Sequence, residues 1–227
     1  MQSNVLVFAK RSLNLSKILA GVGLGLAAFG IFVIFALSLL AGSSSAAVFF
    51  LPVSFMSLGL LMFTMPVTLL YVYDKNNGVL EYLLSLGWNQ SDVFKQYLKA
   101  ALFLALILFT GEGVAILIAG AISGSMGVFL LDLLMLFLTA FLGFSVVSLT
   151  TVAMMAFSSL QKQRVGANTP LGMAIGAVFI FPTFYLSFIG FIPELIVVLS
   201  LCILAGALSG GLLLLSSRLI RREKMLP

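Results

Sequence analysis

The sequence predicts an all-α integral membrane protein: six transmembrane helices, both termini cytoplasmic, and an amphipathic helix–turn–helix loop between helices two and three. Three observations carry that prediction. The chain is 62% hydrophobic and only 8% charged, whereas a soluble domain carries roughly 25% charged residues. So few charges cannot cover a surface that faces water. Six apolar runs reach the length of about 20 residues that a bilayer crossing requires. Once those runs are taken as spans, all 12 basic residues fall on one side, which the positive-inside rule makes the cytoplasm.

The whole chain, 1–227, reads as one transmembrane domain. Residues 1–17, "MQSNVLVFAKRSLNLSK", form a short basic amphipathic segment with no evident cleavable signal, so the first span acts as the insertion signal. Spans one and two, about 18–41 and 48–73, are separated by "GSSS". A polar interval at 74–97 follows. Spans three to six, about 98–122, 128–157, 171–190 and 193–217, fill 98–217 and leave a basic tail at 218–227. Lys10, Arg11 and Lys17 precede span one; Lys75, Lys95 and Lys99 lie between two and three. Lys162 and Arg164 lie between four and five, and Arg218, Arg221, Arg222 and Lys224 follow six. The opposite loops, "GSSSAA", "GSMG" and "GFIPE", carry no Lys or Arg. A missed or invented span would scramble this segregation.

Several chemistries are excluded. There is no histidine and a single cysteine, Cys202. That rules out disulfides within the chain, His/Cys zinc sites and Ser/His or Cys/His catalysis. The basic residues sit in short clusters at the ends of apolar runs, which is a topology signal and not a nucleic-acid footprint. No G-x-x-x-x-G-K-[ST] phosphate loop is present, so any ATP hydrolysis belongs to another chain. The expectation is a protein that is not an enzyme and has no metal or cofactor of its own.

The interval "DKNNGVLEYLLSLGWNQSDVFKQYLKA", residues 74–100, is the only long polar stretch. "DKNNG" reads as a turn, with left-handed backbone tolerated at Asn76, Asn77 and Gly78. "VLEYLLSL" gives about two turns of amphipathic helix, ended by Gly87 in the C′ position. Asn89 caps a second helix with Asp92 at its third position. Val93, Phe94, Tyr97 and Leu98 give that helix an apolar face, and it runs on into span three. Trp88, at the break, suits a membrane–water boundary. Taken alone, this pattern also fits a plain interfacial connector.

The order of these residues resembles the first cytoplasmic loop of type-2 ABC transporter permeases: a polar cluster, Asn-Gly, Leu-Glu, the apolar run "YLLSL", a break, and "NQSDVFKQYLKA" leading into a span. "VLVFAKRSLNLSK" is similar to the connecting helix at the N-terminus of that family. The resemblance covers the whole topology, but its specific residues are confined to about 74–99. The short "GFIPE" loop departs from members with extra external helices there. The resemblance implies a permease that works as a homodimer or heterodimer in the plasma membrane, with cytosolic ABC ATPase subunits docked on the loop. Glu81, Gly87, Trp88, Asn89, Gln90, Ser91 and Asp92 would be the ATPase-coupling residues. ATP would be bound by the partner, lipid would surround the spans, and no nucleic acid would be involved. Short loops and split subunits are in the prokaryotic style.

Two carboxylates fall inside predicted spans, Glu112 in "TGEGV" and Asp132 in "LLDLL". An intramembrane carboxylate is costly and marks a functional candidate, here the substrate path. If spans three and four are neighbours, the two groups could be close. The plainer alternative puts Asp132 at the lipid boundary and gives Glu112 a Ser, Thr or backbone partner. "GVGLG" (Gly21 to Gly25) permits a close helix contact. Ser145, Ser148 and Thr151 form a stripe expected to bond back to their own helix. Two rival functions remain: a proton-coupled secondary carrier using Glu112, and a membrane scaffold or assembly factor without a transport path.

Overall fold

The computed structural model of the chain describes residues 3–39, 51–123, 126–157, 174, 176–180, 182 and 191–219. Seven helices are bounded: α1 (Ser3–Leu15), α2 (Lys17–Leu39), α3 (Leu51–Asn76), α4 (Val79–Ser85), α5 (Gln90–Ser123), α6 (Met126–Phe157) and α7 (Phe191–Leu219). Residues 176–180 are also helical, and the described residues contain no strand. Four stretches are long and apolar enough to cross a membrane: Lys17–Ala36, Pro52–Asn76, Gln90–Ile122 and Asp132–Met155. They match the first four expected spans. The sixth corresponds to α7, whose Val198–Leu214 is a shorter apolar stretch. Most of the expected fifth span, 171–190, and most of the 218–227 tail lie outside the described residues.

α3 is the centre of the bundle and packs against α1, α2, α5 and α6. Of its spanning stretch 83% is buried, against 28% for α2, so α3 is core and α2 is peripheral. Small residues let α2 come close. The buried positions of α2 are Ala20, Gly23, Ala27, Gly30 and Ile34, at alternating steps of three and four, the spacing of an interhelical seam. A Cβ on Gly23 would lie 2.5 Å from the Phe63 nitrogen and 2.9 Å from the Gly59 oxygen. Gly59 in turn faces Ala27, and Gly30 faces Met56. This register makes α2 and α3 antiparallel. Gly21 and Gly25 face open space: in the "GVGLG" pattern the central glycine makes the contact, because only position 23 falls on the buried seam.

α5 and α6 are antiparallel as well. Gly120 lies against Phe129, Gly113 against Leu136, and the Phe109 and Phe144 rings meet edge to face at 5.6 Å. Gly143 rests on Leu60, and Gly206 on Ser145 and Phe141, which seats α6 between α3 and α7. Most hydroxyls on these helices are satisfied locally, which is how a spanning helix carries Ser and Thr in hydrocarbon. Thr64 donates to the Leu60 and Leu61 carbonyls, Thr68 to Met65, Thr150 to Val146 and Val147, and Ser148 to Phe144, at 2.7 to 3.1 Å.

Two apolar clusters divide the interior. One gathers α1, α4, the start of α5 and the end of α3, around Phe8, Tyr71, Leu80, Phe94 and Tyr97. The other gathers Ile34, Met56, Ile116, Leu138, Leu142 and Cys202. On α5 the first ends at Leu108 and the second begins at Ile116, with Glu112 between them.

Candidate functional site

The elbow between α3 and α5 is built from the end of one spanning helix, the two-turn helix α4 and the start of the next. α3 continues through Asp74 and Lys75 to Asn76, further than the turn read at 74–78. Neither Asn76 nor Asn77 is left-handed; Gly78 alone makes the turn, at φ 71°. Asn77 instead donates its Nδ2 to the Tyr73 carbonyl at 3.0 Å, tying off the α3 C-terminus.

α4 ends as its glycine foretells. Gly87 is left-handed at φ 85°. Its N–H donates to the Leu84 carbonyl at 3.2 Å, and the Trp88 N–H donates to Leu83 at 3.2 Å. These two bonds are a Schellman closure, which satisfies carbonyls that a helix end otherwise leaves open. Two residues later α5 begins. The Asn89 carbonyl accepts from the Asp92 and Val93 N–H groups at 3.0 and 3.1 Å, which puts Asn89 at the N-cap. Asp92 stands in the first turn of α5, where a negative charge meets the positive end of the helix dipole.

The buried side of the elbow holds Leu80, Val93, Phe94 and Tyr97, with Leu83, Leu84 and Trp88 partly buried against them. The other side is open. Glu81, Gly87, Asn89, Ser91 and Asp92 are exposed. Gly87, Trp88, Asn89, Gln90 and Ser91 line, with Leu84, an open concavity of about 430 Å³. Five of the seven predicted coupling residues therefore share one surface depression. Glu81 and Asp92 are exposed but are not part of its lining.

Two features were not read from the sequence. Tyr82, in the middle of α4, and Leu86, at its C-cap, are 64% and 58% exposed. They stand four apart, so they share a face, and the apolar run "YLLSL" hid them among residues that turn inward. The second is a polar hub. Asp74 is completely buried. Its Oδ1 pairs with Arg11 Nη2 at 2.8 Å, and its Oδ2 accepts from the Tyr97 hydroxyl at 2.6 Å. A carboxylate at a helix C-terminus opposes the dipole, so its burial there depends on these two donors. The Phe8 ring packs edge-on to Tyr97 at 4.8 Å, and Tyr71 does so at 5.2 Å. The hub thus joins α1, α3 and α5 at the elbow. The one available signal was the adjacent basic pair Lys10 and Arg11 on an amphipathic N-terminal helix.

The two intramembrane carboxylates are both buried. α5 and α6 are neighbours, but the groups are not together. The Asp132 carboxylate lies beside Gly120, about 12 Å along α5 from Glu112 at 1.5 Å per residue. Asp132, the first residue of the apolar stretch of α6, is 2% exposed, so it is covered by neighbouring helices. Neither oxygen of Glu112 has a hydrogen-bond partner among the described residues, so the expected Ser, Thr or backbone partner is not found among them. Among those residues, no group of three His, Cys, Asp or Glu is placed to hold a metal ion. No protein-family model, curated protein or solved structure matches the chain.

Proposed function

We propose that this chain is the membrane subunit of an ABC transporter, an exporter of the type-2 class, with six spans and both ends in the cytoplasm of a prokaryotic-style cell. It forms the substrate path as a permease dimer, and the elbow docks a separate cytosolic ATPase. The observation that carries this reading is the construction of the elbow. Gly87, Trp88, Asn89, Gln90 and Ser91 frame a concavity at the base of α5, which continues without a break for 34 residues, about 50 Å. A push on that tip is delivered along a rigid rod to the far side of the bundle. A connector that merely crossed the interface would not need the concavity where the two helices meet.

The hub explains how the push is borne. A lever transmits force only if its fulcrum holds. Asp74, Arg11 and Tyr97 fix the base of α5 to α3 and α1, so closure of the ATPases would swing α5 with α1 and not bend it at the elbow. The apolar pair Tyr82 and Leu86 extends the docking face beyond the polar tip, in the mix of aromatic and aliphatic anchors that protein interfaces favour. The chemistry belongs to the partner; this chain supplies the path and the coupling.

The test is copurification from the native membrane in mild detergent, followed by mass spectrometry for a P-loop ATPase. The expected result is an ATPase that accompanies the wild-type chain and is lost, or no longer stimulated, in Gly87→Leu and Asp92→Lys variants that still insert. Absence of any ATPase from a preparation that keeps other complexes intact would refute the reading.

A further inference from the structure

Among the described residues, three side chains with no exposure, one each on α3, α5 and α6, carry oxygens without a hydrogen-bond partner: Ser57 Oγ, both oxygens of Glu112, and Thr139 Oγ1; Gln96 Oε1 and Asp132 Oδ2 are likewise unpartnered but stand at other levels of α5 and α6. Ser57, Glu112 and Thr139 stand at one depth. Tyr97 on α5 meets Asp74 and Tyr71 on α3. From that contact Glu112 and Ser57 each lie about four turns further along their antiparallel helices. Gly113 rests against Leu136 and Phe109 against Phe144, which brackets Glu112 opposite Thr139. Gly143 rests on Leu60, and about one turn back along α6 and α3 stand Thr139 and Ser57. Three pairwise registers give the same layer. The hydroxyls of Thr64, Thr68, Ser148 and Thr150 all donate to carbonyls of their own helices; those of Ser57 and Thr139 do not.

Among the described residues, no positive charge lies near Glu112. α2 has no charged residue after Lys17, and α3 has none before Asp74. The charges of α1 and Lys95 and Lys99 of α5 are at the elbow end, and Asp132 of α6 lies about two turns away. One carboxylate in hydrocarbon is balanced by one positive charge, and a divalent ion would leave an excess. A carboxylate with two hydroxyls is a hard-oxygen set, and complete burial leaves no route for a bulky organic cation to lie against it.

We propose that Ser57, Glu112 and Thr139 form an intramembrane site for one small monovalent cation, sodium or a proton. Glu112 supplies the charge and the two hydroxyls supply neutral oxygens. The site stands whether or not the elbow docks an ATPase. Its test is thermal unfolding of the purified full chain in lipid nanodiscs, titrated with sodium chloride against choline chloride at fixed pH, and separately with pH at fixed choline chloride. A bound ion at 100 times its Kd raises Tm by roughly 5–10 °C. A rise with sodium but not choline, absent in Glu112→Gln and displaced about tenfold or more in Ser57→Ala and Thr139→Val, assigns a sodium site. A rise on acidification that ignores sodium, is absent in Glu112→Gln and has its midpoint moved by the hydroxyl variants, assigns a proton site. Asp132→Asn should keep either response. A wild type that responds to neither titration, or a Glu112→Gln that responds like wild type, overturns the proposal. If Glu112→Gln does not fold, unchanged midpoints in both hydroxyl variants overturn it.

Discussion

Removing a single hydroxyl from the hub, by Tyr97→Phe, tests whether the elbow is clamped as described. The ring contacts to Phe8 and Tyr71 survive that change, so the loss isolates the 2.6 Å bond to Asp74. A hydrogen bond to a charged group contributes about 1.5–3 kcal/mol, and Asp74, with no exposure to solvent, cannot recover it from water. Arg11 still holds the other oxygen, but its side chain is 43% exposed; solvent screening reduces that pair to about 1 kcal/mol or less. Tyr97→Phe should therefore lower stability by about 2 kcal/mol. For a chain of this size that is roughly 4–8 °C in Tm, readable by thermal unfolding in mild detergent. In an Asp74→Ala background the same change should cost almost nothing, with a coupling energy of about 1 kcal/mol or more. A Tyr97→Phe variant within about 1 °C of wild type, or an equal loss in both backgrounds, would show that the hub does not hold the elbow.

The glycines of α2 give a paired test: Gly23→Ala places its methyl against the α3 backbone and should cost about 1–3 kcal/mol or more, while Gly21→Ala, in open space, should gain up to about 1 kcal/mol from helix propensity; unfolding curves of the two side by side decide. Gly87→Ala meets no atom within 4 Å, so its cost is purely that of a left-handed backbone, about 1–2 kcal/mol, and a larger loss of ATPase stimulation than of stability would mark the tip as functional. Tyr82→Ser with Leu86→Ser should leave Tm within about 1 °C, because both side chains are exposed, yet weaken ATPase copurification; retained binding would remove them from the docking face.

How much was legible in the sequence depends on range. The first four spans were, because a bilayer imposes a length and a composition that each of those runs satisfies by itself. So was the Gly87 break, since a helix end in left-handed backbone selects glycine within a few residues of sequence. Gly78 was only half legible. "NNG" offers three residues that tolerate the turn, and the choice fell on glycine because α3 stayed helical through Asn76. That extension depends on Asp74, which is held in helix by Arg11, 63 residues earlier, and by Tyr97, 23 residues later. No local pattern announces partners at such separations.

The intramembrane carboxylates divide the same way. Their cost in hydrocarbon made Glu112 and Asp132 candidates from sequence alone. Their separation required the register of α5 on α6, which is set by where Gly113 and Gly120 admit Leu136 and Phe129. The oxygens that share a layer with Glu112 come from two other helices, and Ser57 and Thr139 look like any back-bonded hydroxyl until their own carbonyls are seen not to take them. Sequence by itself determined solvent, helices and breaks, because each follows from the transfer free energy or backbone freedom of residues close together in the chain. Only the tertiary structure decided which polar atoms meet, because that depends on the rotation and axial offset of each helix against its neighbours.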